Sequence, residues 1–177
     1  MNIFVTSNSP GLSASNLDDK RVVKMVLEST QLLCTAINEF GGKTPYRSTH
    51  KNHSATKWVM ESKENWLWLH EHAVALCLEY TYIYGKQHKC QAIIDEVTHS
   101  KQFNLLPVIP ITPFVNCTAN KIKNISYKHI SNTLLAYRLY LIDRWNTDVK
   151  PPTWQLRGCP DWAKLDNEGK WQYIGKS

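Results

Sequence analysis

One amphipathic run near the N-terminus constrains this chain more than anything else in it. Residues 17–28, Leu17-Asp18-Asp19-Lys20-Arg21-Val22-Val23-Lys24-Met25-Val26-Leu27-Glu28, read as helix. Lys20, Lys24 and Glu28 then stand four apart on one face, a carboxylate with an ammonium group one turn behind it. Val22, Val23, Val26 and Leu27, followed by Leu32, Leu33 and Ala36, cover the rest with apolar surface fit for burial. The charged row has two readings. It is either a polar stripe in solvent, where a Lys24–Glu28 pair is worth a few tenths of a kcal/mol, or the wall of a cleft.

The remaining pattern is helical too. With 177 residues and 42% apolar content the chain can bury a full core, and one domain over 1–177 is expected. Asn16 is the expected N-cap of the first helix, with Asp18 and Asp19 in its first turn and an end near Asn38, before Gly41-Gly42. A loop follows from Lys43 to Asn52. Ser54 or Thr56 opens a short helix to Glu61, and Ser62 a longer one to Tyr84-Gly85 that buries Trp66, Leu69, Ala73, Leu76, Cys77 and Tyr80. Lys86 to Thr98 reads as another helix, with Ile93, Ile94 and Val97 inward. Pro107, Pro110 and Pro113 impose an extended connection. Ser131 caps a last helix to Trp145, with Leu134, Leu135, Leu139, Leu141 and Ile142 as its apolar residues. From about Pro151 the tail is irregular and aromatic, with Trp154, Trp162, Trp171 and Tyr173. The expectation is an all-α, mainly helical domain with long loops.

Composition narrows the function. A net charge of +6 and a pI near 9.0 suggest an anionic partner, nucleic acid first. Seven Trp and eight Tyr add base-stacking capacity. No apolar run approaches the length of a membrane span, and the first residues lack the blocks of a secretion signal. A cytoplasmic location is therefore expected. The five cysteines form no CxxC pair and read as reduced thiols, without a disulfide frame or zinc site. The absence of G-x-G-x-x-G, G-K-[ST] and G-x-S-x-G patterns speaks against redox cofactors and NTP hydrolysis, so no cofactor and no metal are expected.

Three segments can carry chemistry. Glu28 suits a general acid/base or a carboxylate that stabilises a developing cation, with Lys24 tuning it. The loop Tyr46 to His53 offers Arg47 and Lys51 for phosphates and His50, Asn52 and His53 for polar edges, though a plain solvated loop has the same composition. His50 and His53 could begin a metal site, but His70, His72, His88 and Glu79 complete no recognised spacing. Residues 79–89 read either as a buried aromatic helix end with a basic cap or as an aromatic wall beside the first helix.

The first helix resembles that of the phage pyrimidine-dimer DNA glycosylases of the endonuclease V type. Leu17, Asp19 and Glu28 fall at the spacing of that family's Leu-x-Asp…Glu segment, with Arg21 where the family has His. Lys51-Asn52-His53 before the helix to Tyr84-Gly85, and Pro152-Thr153-Trp154 followed by Gly158, are similar to its middle loop and its aromatic tail. The pattern is similar to small phage proteins, which would place it in an infected host cell. The resemblance implies an all-α, endonuclease V-like fold and DNA as partner. It implies cleavage of an N-glycosidic bond and then of the strand. An α-amino terminus attacks the sugar C1′ to form a Schiff base, the helix carboxylate, here Glu28, assists, and the nucleotide is flipped out of the duplex. Lys20, Arg21, Arg47, His50, Lys51, Asn52, His53 and Trp154 would face the nucleic acid, with Lys20 and Lys24 supplying positive potential.

Two departures bear on the amine. Asn2 is large for removal of Met1, so Met1 is expected to stay, and a longer segment before the helix puts the amine's reach to Glu28 in question. Glu28 could instead activate water, or Lys24 could form the Schiff base if burial near Lys20 lowered its pKa. An enzyme acting on a free or signalling nucleotide, and a non-catalytic nucleic-acid or nucleotide binder, are the alternatives.

Overall fold

Capping chemistry decides where the helices of this mainly α fold begin. The structure, a computed structural model, describes residues 1–175, so the last two residues of the expected domain lie outside the described ones. A short helix absent from the sequence reading, α1 (Pro10–Ser15), starts at Ser9, whose hydroxyl accepts from the Leu12 N–H. Pro10 occupies its first turn, where no N–H is needed. Asn16 closes α1 with helical dihedrals and so cannot cap the long helix as expected. That cap is Asp18, extended and accepting from the Arg21 N–H at the start of α2 (Asp19–Glu39).

The later helices follow the same logic. The His53 ring, rather than Ser54 or Thr56, caps α3 (Ser54–Glu61) by accepting from the Ala55 N–H at 3.1 Å. Ser62 caps α4 (Lys63–Tyr84), which ends at Gly85 in the left-handed region, φ 64°. Only Gln91–Val97 of the expected 86–98 stretch is helical (α5), and Ile93 is half-buried while Ile94 and Val97 are buried. Asn132, one residue after the expected Ser131, caps α6 (Thr133–Thr147). The inward face of α6 is also aromatic: Tyr137, Tyr140 and Trp145 are buried with Leu141 and Ile142, while Leu134, Leu135 and Leu139 are half-buried.

Two small antiparallel hairpins complete the described fold. In one, β1 (Ala119–Asn120) pairs with β2 (Ile125–Ser126). In the other, β3 (Ala163–Leu165) pairs with β4 (Trp171–Tyr173), so the tail is not irregular throughout. The strands are too short for an alternation to be visible in sequence.

The core lies between α2 and α4, with α1, α3 and α5 around them. Trp58, Trp66, Leu69, Ala73, Leu76 and Cys77 fill it from the α3–α4 side, while Tyr80 is half-buried. The first residues run extended, with Ile3, Phe4 and Val5 buried, and Phe4 meets the Tyr137 and Tyr140 rings of α6 at 6.0 and 6.1 Å.

Two buried carboxylates tie α2 to the C-terminal half. Asp18 accepts from Arg21 at 2.6 Å and from the Trp145 indole at 2.8 Å. The other end of the Arg21 guanidinium reaches Asp148 at 2.9 Å. Burial works to raise the Asp148 pKa, but Arg21 and Arg144 outweigh it and hold the carboxyl below its usual value. Asp19 accepts from the Thr153 hydroxyl, the Gln155 N–H and Arg157, and Arg157 continues to Glu79 of α4 at 2.9 Å.

Removing one partner of a buried pair leaves the other uncompensated. Arg21→Met should therefore lower the unfolding free energy by about 3 kcal/mol, read as a lower urea midpoint at unchanged slope. A second prediction concerns His72, wholly buried, with Nδ1 on the Pro10 carbonyl at 3.0 Å and its ring stacked on Trp68. Burial pushes its pKa from 6.5 to about 4. The unfolded chain takes up this proton near pH 6.5 and the native one only near pH 4, so stability falls as pH drops between them. The loss is about 3 kcal/mol in full. Urea titrations of the wild type and His72→Phe should show a shallower fall for the variant over that window.

Candidate active site at the N-terminus of the chain

Glu28 lies midway along α2 on its outer face, and its side chain is only 12% exposed. Three nitrogens surround the carboxylate. The Asn2 N–H donates to Oε2 at 2.9 Å, the Met1 α-amine lies 3.8 Å from the same oxygen, and the Lys24 ammonium is 3.2 Å from Oε1. The α-amine thus reaches Glu28, and the length of the preceding segment is no obstacle. Residues 7–16 are taken up by a turn and α1, and the chain returns to α2 with Ile3–Val5 laid against the core. The Met1 side chain is buried, and the exposure of that residue lies in its backbone.

A side-chain network fixes this terminus. Asn2 Oδ1 accepts from the Tyr137 hydroxyl at 2.8 Å and from the Ile3 N–H, and Asn2 Nδ2 donates to the Cys117 carbonyl. The Tyr137 hydroxyl in turn accepts from the Cys117 N–H at 3.2 Å. Burial raises the Tyr137 pKa well above its usual value, so it stays a neutral donor. Sequence reading noted Asn2 only for its size and passed over Tyr137 and Cys117. The one available signal was a tyrosine on the inward face of α6.

The loop 46–53 lies along the C-terminal half of α2. The Thr49 N–H donates to the Thr35 hydroxyl, Asn38 donates to the Tyr46 carbonyl, and Lys51 pairs with Glu39 at 2.7 Å. This brings His53 into electrostatic reach of the site. Burial lowers its pKa first, the positive chain terminus and His50 lower it further, Glu28 opposes them, and Lys128 adds a small lowering. His50 is exposed at φ 50°, and Arg47 and Asn52 are exposed. Lys128, unmentioned in the sequence reading, joins this rim from beyond β2.

Three expected residues stand differently. Lys24 is 73% exposed and Lys20 66%, so the burial that would make Lys24 a neutral nucleophile is missing. Arg21, expected on the nucleic-acid face, is buried and committed to Asp18 and Asp148. Trp154 packs against Trp145 and Trp171 at 5.0 and 5.1 Å, with its indole nitrogen buried, so its ring faces the tail cluster instead of an open surface.

Two clefts line the same helix. One of ≈ 250 Å³ is bounded by Phe4, Lys20, Lys24 and Arg144, and one of ≈ 740 Å³ by Lys20, Tyr84, Lys150 and Gln155. The larger lies at the Lys20 end, about 12 Å along the axis from Glu28. Glu28 and the α-amine thus stand apart from the 740 Å³ cleft. Lys20 borders both clefts, so they continue the Glu28 row as one basic strip. Among the described residues no group of three or more His, Cys, Asp or Glu side chains is placed to hold a metal ion.

The family model described as pyrimidine dimer DNA glycosylase matches residues 1–93. The chain belongs to that glycosylase family. The matched stretch contains the terminus, Glu28 and the loop 46–53, whereas Tyr137, Cys117 and Lys128 lie beyond it. No curated protein and no solved structure matches the chain.

Within this glycosylase fold the Tyr137 hydroxyl joins the terminus to the segment at Cys117. Tyr137→Phe should cost about 1–3 kcal/mol, because the Cys117 N–H loses its acceptor. Urea unfolding measures that loss, and unchanged stability would show that the network is not holding Asn2.

Proposed function

We propose that this chain is a DNA glycosylase that releases a base of a pyrimidine dimer by attack of its own α-amine on C1′, with strand cleavage following. The observation that carries this reading is the contact of Glu28 Oε2 with both nitrogens of the chain terminus. The neutral amine adds to C1′, and the departing base takes the electron pair of the glycosidic bond and a proton. The nitrogen then loses a proton and its lone pair opens the C1′–O4′ bond, with O4′ taking a proton. The Schiff base so formed makes the C2′ hydrogen acidic, and loss of that proton expels the 3′-phosphate. Glu28 takes the ammonium proton before attack, passes it to the departing base, and as a carboxylate again faces the cationic sugar. Lys24 holds the other oxygen and so fixes the carboxylate's orientation. If Met1 is removed, the Asn2 nitrogen becomes the amine, already 2.9 Å from Glu28.

The α-amine is a better nucleophile here than Lys24. As a class α-amines are less basic than lysine side chains and more of them are neutral at neutral pH. Lys20, Lys24, Arg47, His50, Asn52 and His53 form the rim that meets DNA. Lys51, paired with Glu39, contributes less.

Borohydride trapping on a duplex bearing an abasic site or a cyclobutane dimer tests this. The wild type should give a covalent adduct that peptide mapping assigns to the N-terminal residue. Glu28→Gln should lose turnover by about 10²-fold or more while keeping its DNA affinity. Full turnover by Glu28→Gln, or an adduct on an internal lysine, would sink the assignment.

A further inference from the structure

The β1–β2 hairpin carries an aliphatic side chain where water should be least tolerant of one. Ile122, at the tip between Lys121 and Lys123, is 97% exposed. The turn that presents it is well ordered by its own hydrogen bonds. The Lys123 N–H donates to the Asn120 side chain, the Asn124 N–H donates to the Lys121 carbonyl, and Asn124 takes the left-handed conformation at φ 51°. The Lys123 ammonium reaches back to the Thr147 carbonyl and Asp148 at the end of α6, so the tip is braced from the side. Ile125, three residues on, is buried, and the Tyr127 hydroxyl below it donates to Asp143 at 2.7 Å.

The hairpin grows directly out of the candidate site. Its first strand follows Cys117, whose carbonyl holds Asn2 and whose N–H holds Tyr137. Five residues of extended chain reach at most about 17 Å beyond Cys117, so the tip can meet the same duplex as a sugar held at the α-amine. The surroundings suit a polyanion: the carboxylates packed on the hairpin are already engaged, Asp143 by Tyr127 and Asp148 by Arg21, Lys123 and Arg144. Among the described residues Lys121 makes no ion pair that would neutralise it.

We propose that Ile122 is a wedge that enters the DNA base stack beside the reacting nucleotide. The proposal rests on the glycosylase reading for its occupant, duplex DNA. An aliphatic side chain pushed between two base pairs partly unstacks them and kinks the duplex, and this lowers the cost of turning a nucleotide out toward the amine. Lys121 holds a phosphate beside the opened step, while Lys123 keeps the tip braced against α6. The hairpin lies outside the segment matched by the family model, so the wedge is a feature of this chain's C-terminal half.

The test uses the full chain and a duplex with an uncleavable tetrahydrofuran abasic analogue, with 2-aminopurine at base-paired positions flanking it. The wild type should raise 2-aminopurine fluorescence several-fold at one flanking position. Ile122→Ala should abolish the rise and Ile122→Leu restore it, with unchanged melting temperatures, since the side chain touches nothing in the free protein. On dimer-containing DNA, Ile122→Ala should cut turnover about tenfold in duplex and leave turnover on the same dimer in a single strand unaltered. No fluorescence rise with wild type, an equal rise with Ile122→Ala, or equal losses on duplex and single strand would overturn the wedge. A wild type that never cuts dimer DNA would instead overturn the glycosylase reading. The fluorescence arm would still decide the wedge.

Discussion

Asp18 and Asp19 are adjacent, both buried, and both engaged by groups from the far end of the chain. Asp18 receives Arg21 and the indole of Trp145, and Asp19 receives Thr153, Gln155 and Arg157. Arg157 also reaches Glu79 and the carbonyls of Ser15 and Leu17. The start of α2 is therefore the point where α1, α4, α6 and the tail are joined. Two charges removed from water are tolerable only when every lone pair finds a donor, and this requirement fixes the mutual placement of those segments. It also fixes the direction of α2, and with it the face on which Lys20, Lys24 and Glu28 stand.

The middle of α2, where Glu28 stands, depends on that arrangement in a specific way. Tyr137 belongs to α6, the helix that Trp145 ties to Asp18. Its hydroxyl is what grips Asn2, and the Asn2 nitrogen is what meets Glu28. A contact between the first residues and a helix midpoint thus hangs on an aromatic side chain more than a hundred residues later. Chain termini usually fray. This one is held by Asn2, by the buried Ile3–Val5 segment and by the buried side chain of Met1.

Much of this was legible in residue order, for reasons that are local. The α2 face, the long α4 helix with its Ser62 cap and Gly85 stop, and the proline-rich connection follow from periodicity and turn chemistry acting within a few residues. Caps were misjudged wherever two candidates lay close together. Asn16 lost to Asp18 because α1 had already claimed it, and Ser131 lost to its neighbour Asn132. Arg21 looked like a surface cation, since nothing local reveals that Asp148 will lie beside it. Trp154 looked like a stacking platform because the indoles of Trp145 and Trp171 meet it only after the tail folds back. The Glu28 position was readable from spacing and from family resemblance. Its contact with the terminus was not, because Tyr137 and Cys117 supply the support from outside the matched segment.

Three carboxylates of α2 and its cap, Asp18, Asp19 and Glu28, separate by how their oxygens are satisfied. Those of Asp18 and Asp19 bind guanidinium, indole, hydroxyl and backbone donors that are themselves locked in the fold. A substrate could displace none of them without unfolding its source. Glu28 is bound by a largely exposed lysine and by the chain's own first residues. Lys24 can turn away while the helix stays in place, and the terminus stays beside the carboxylate. In the proposed reaction, partial burial would strengthen the carboxylate's hold on a cation formed beside it. An ordinary surface Lys24–Glu28 pair would account for the first contact alone. It leaves the burial of the carboxylate and the delivery of the terminus to it without a cause.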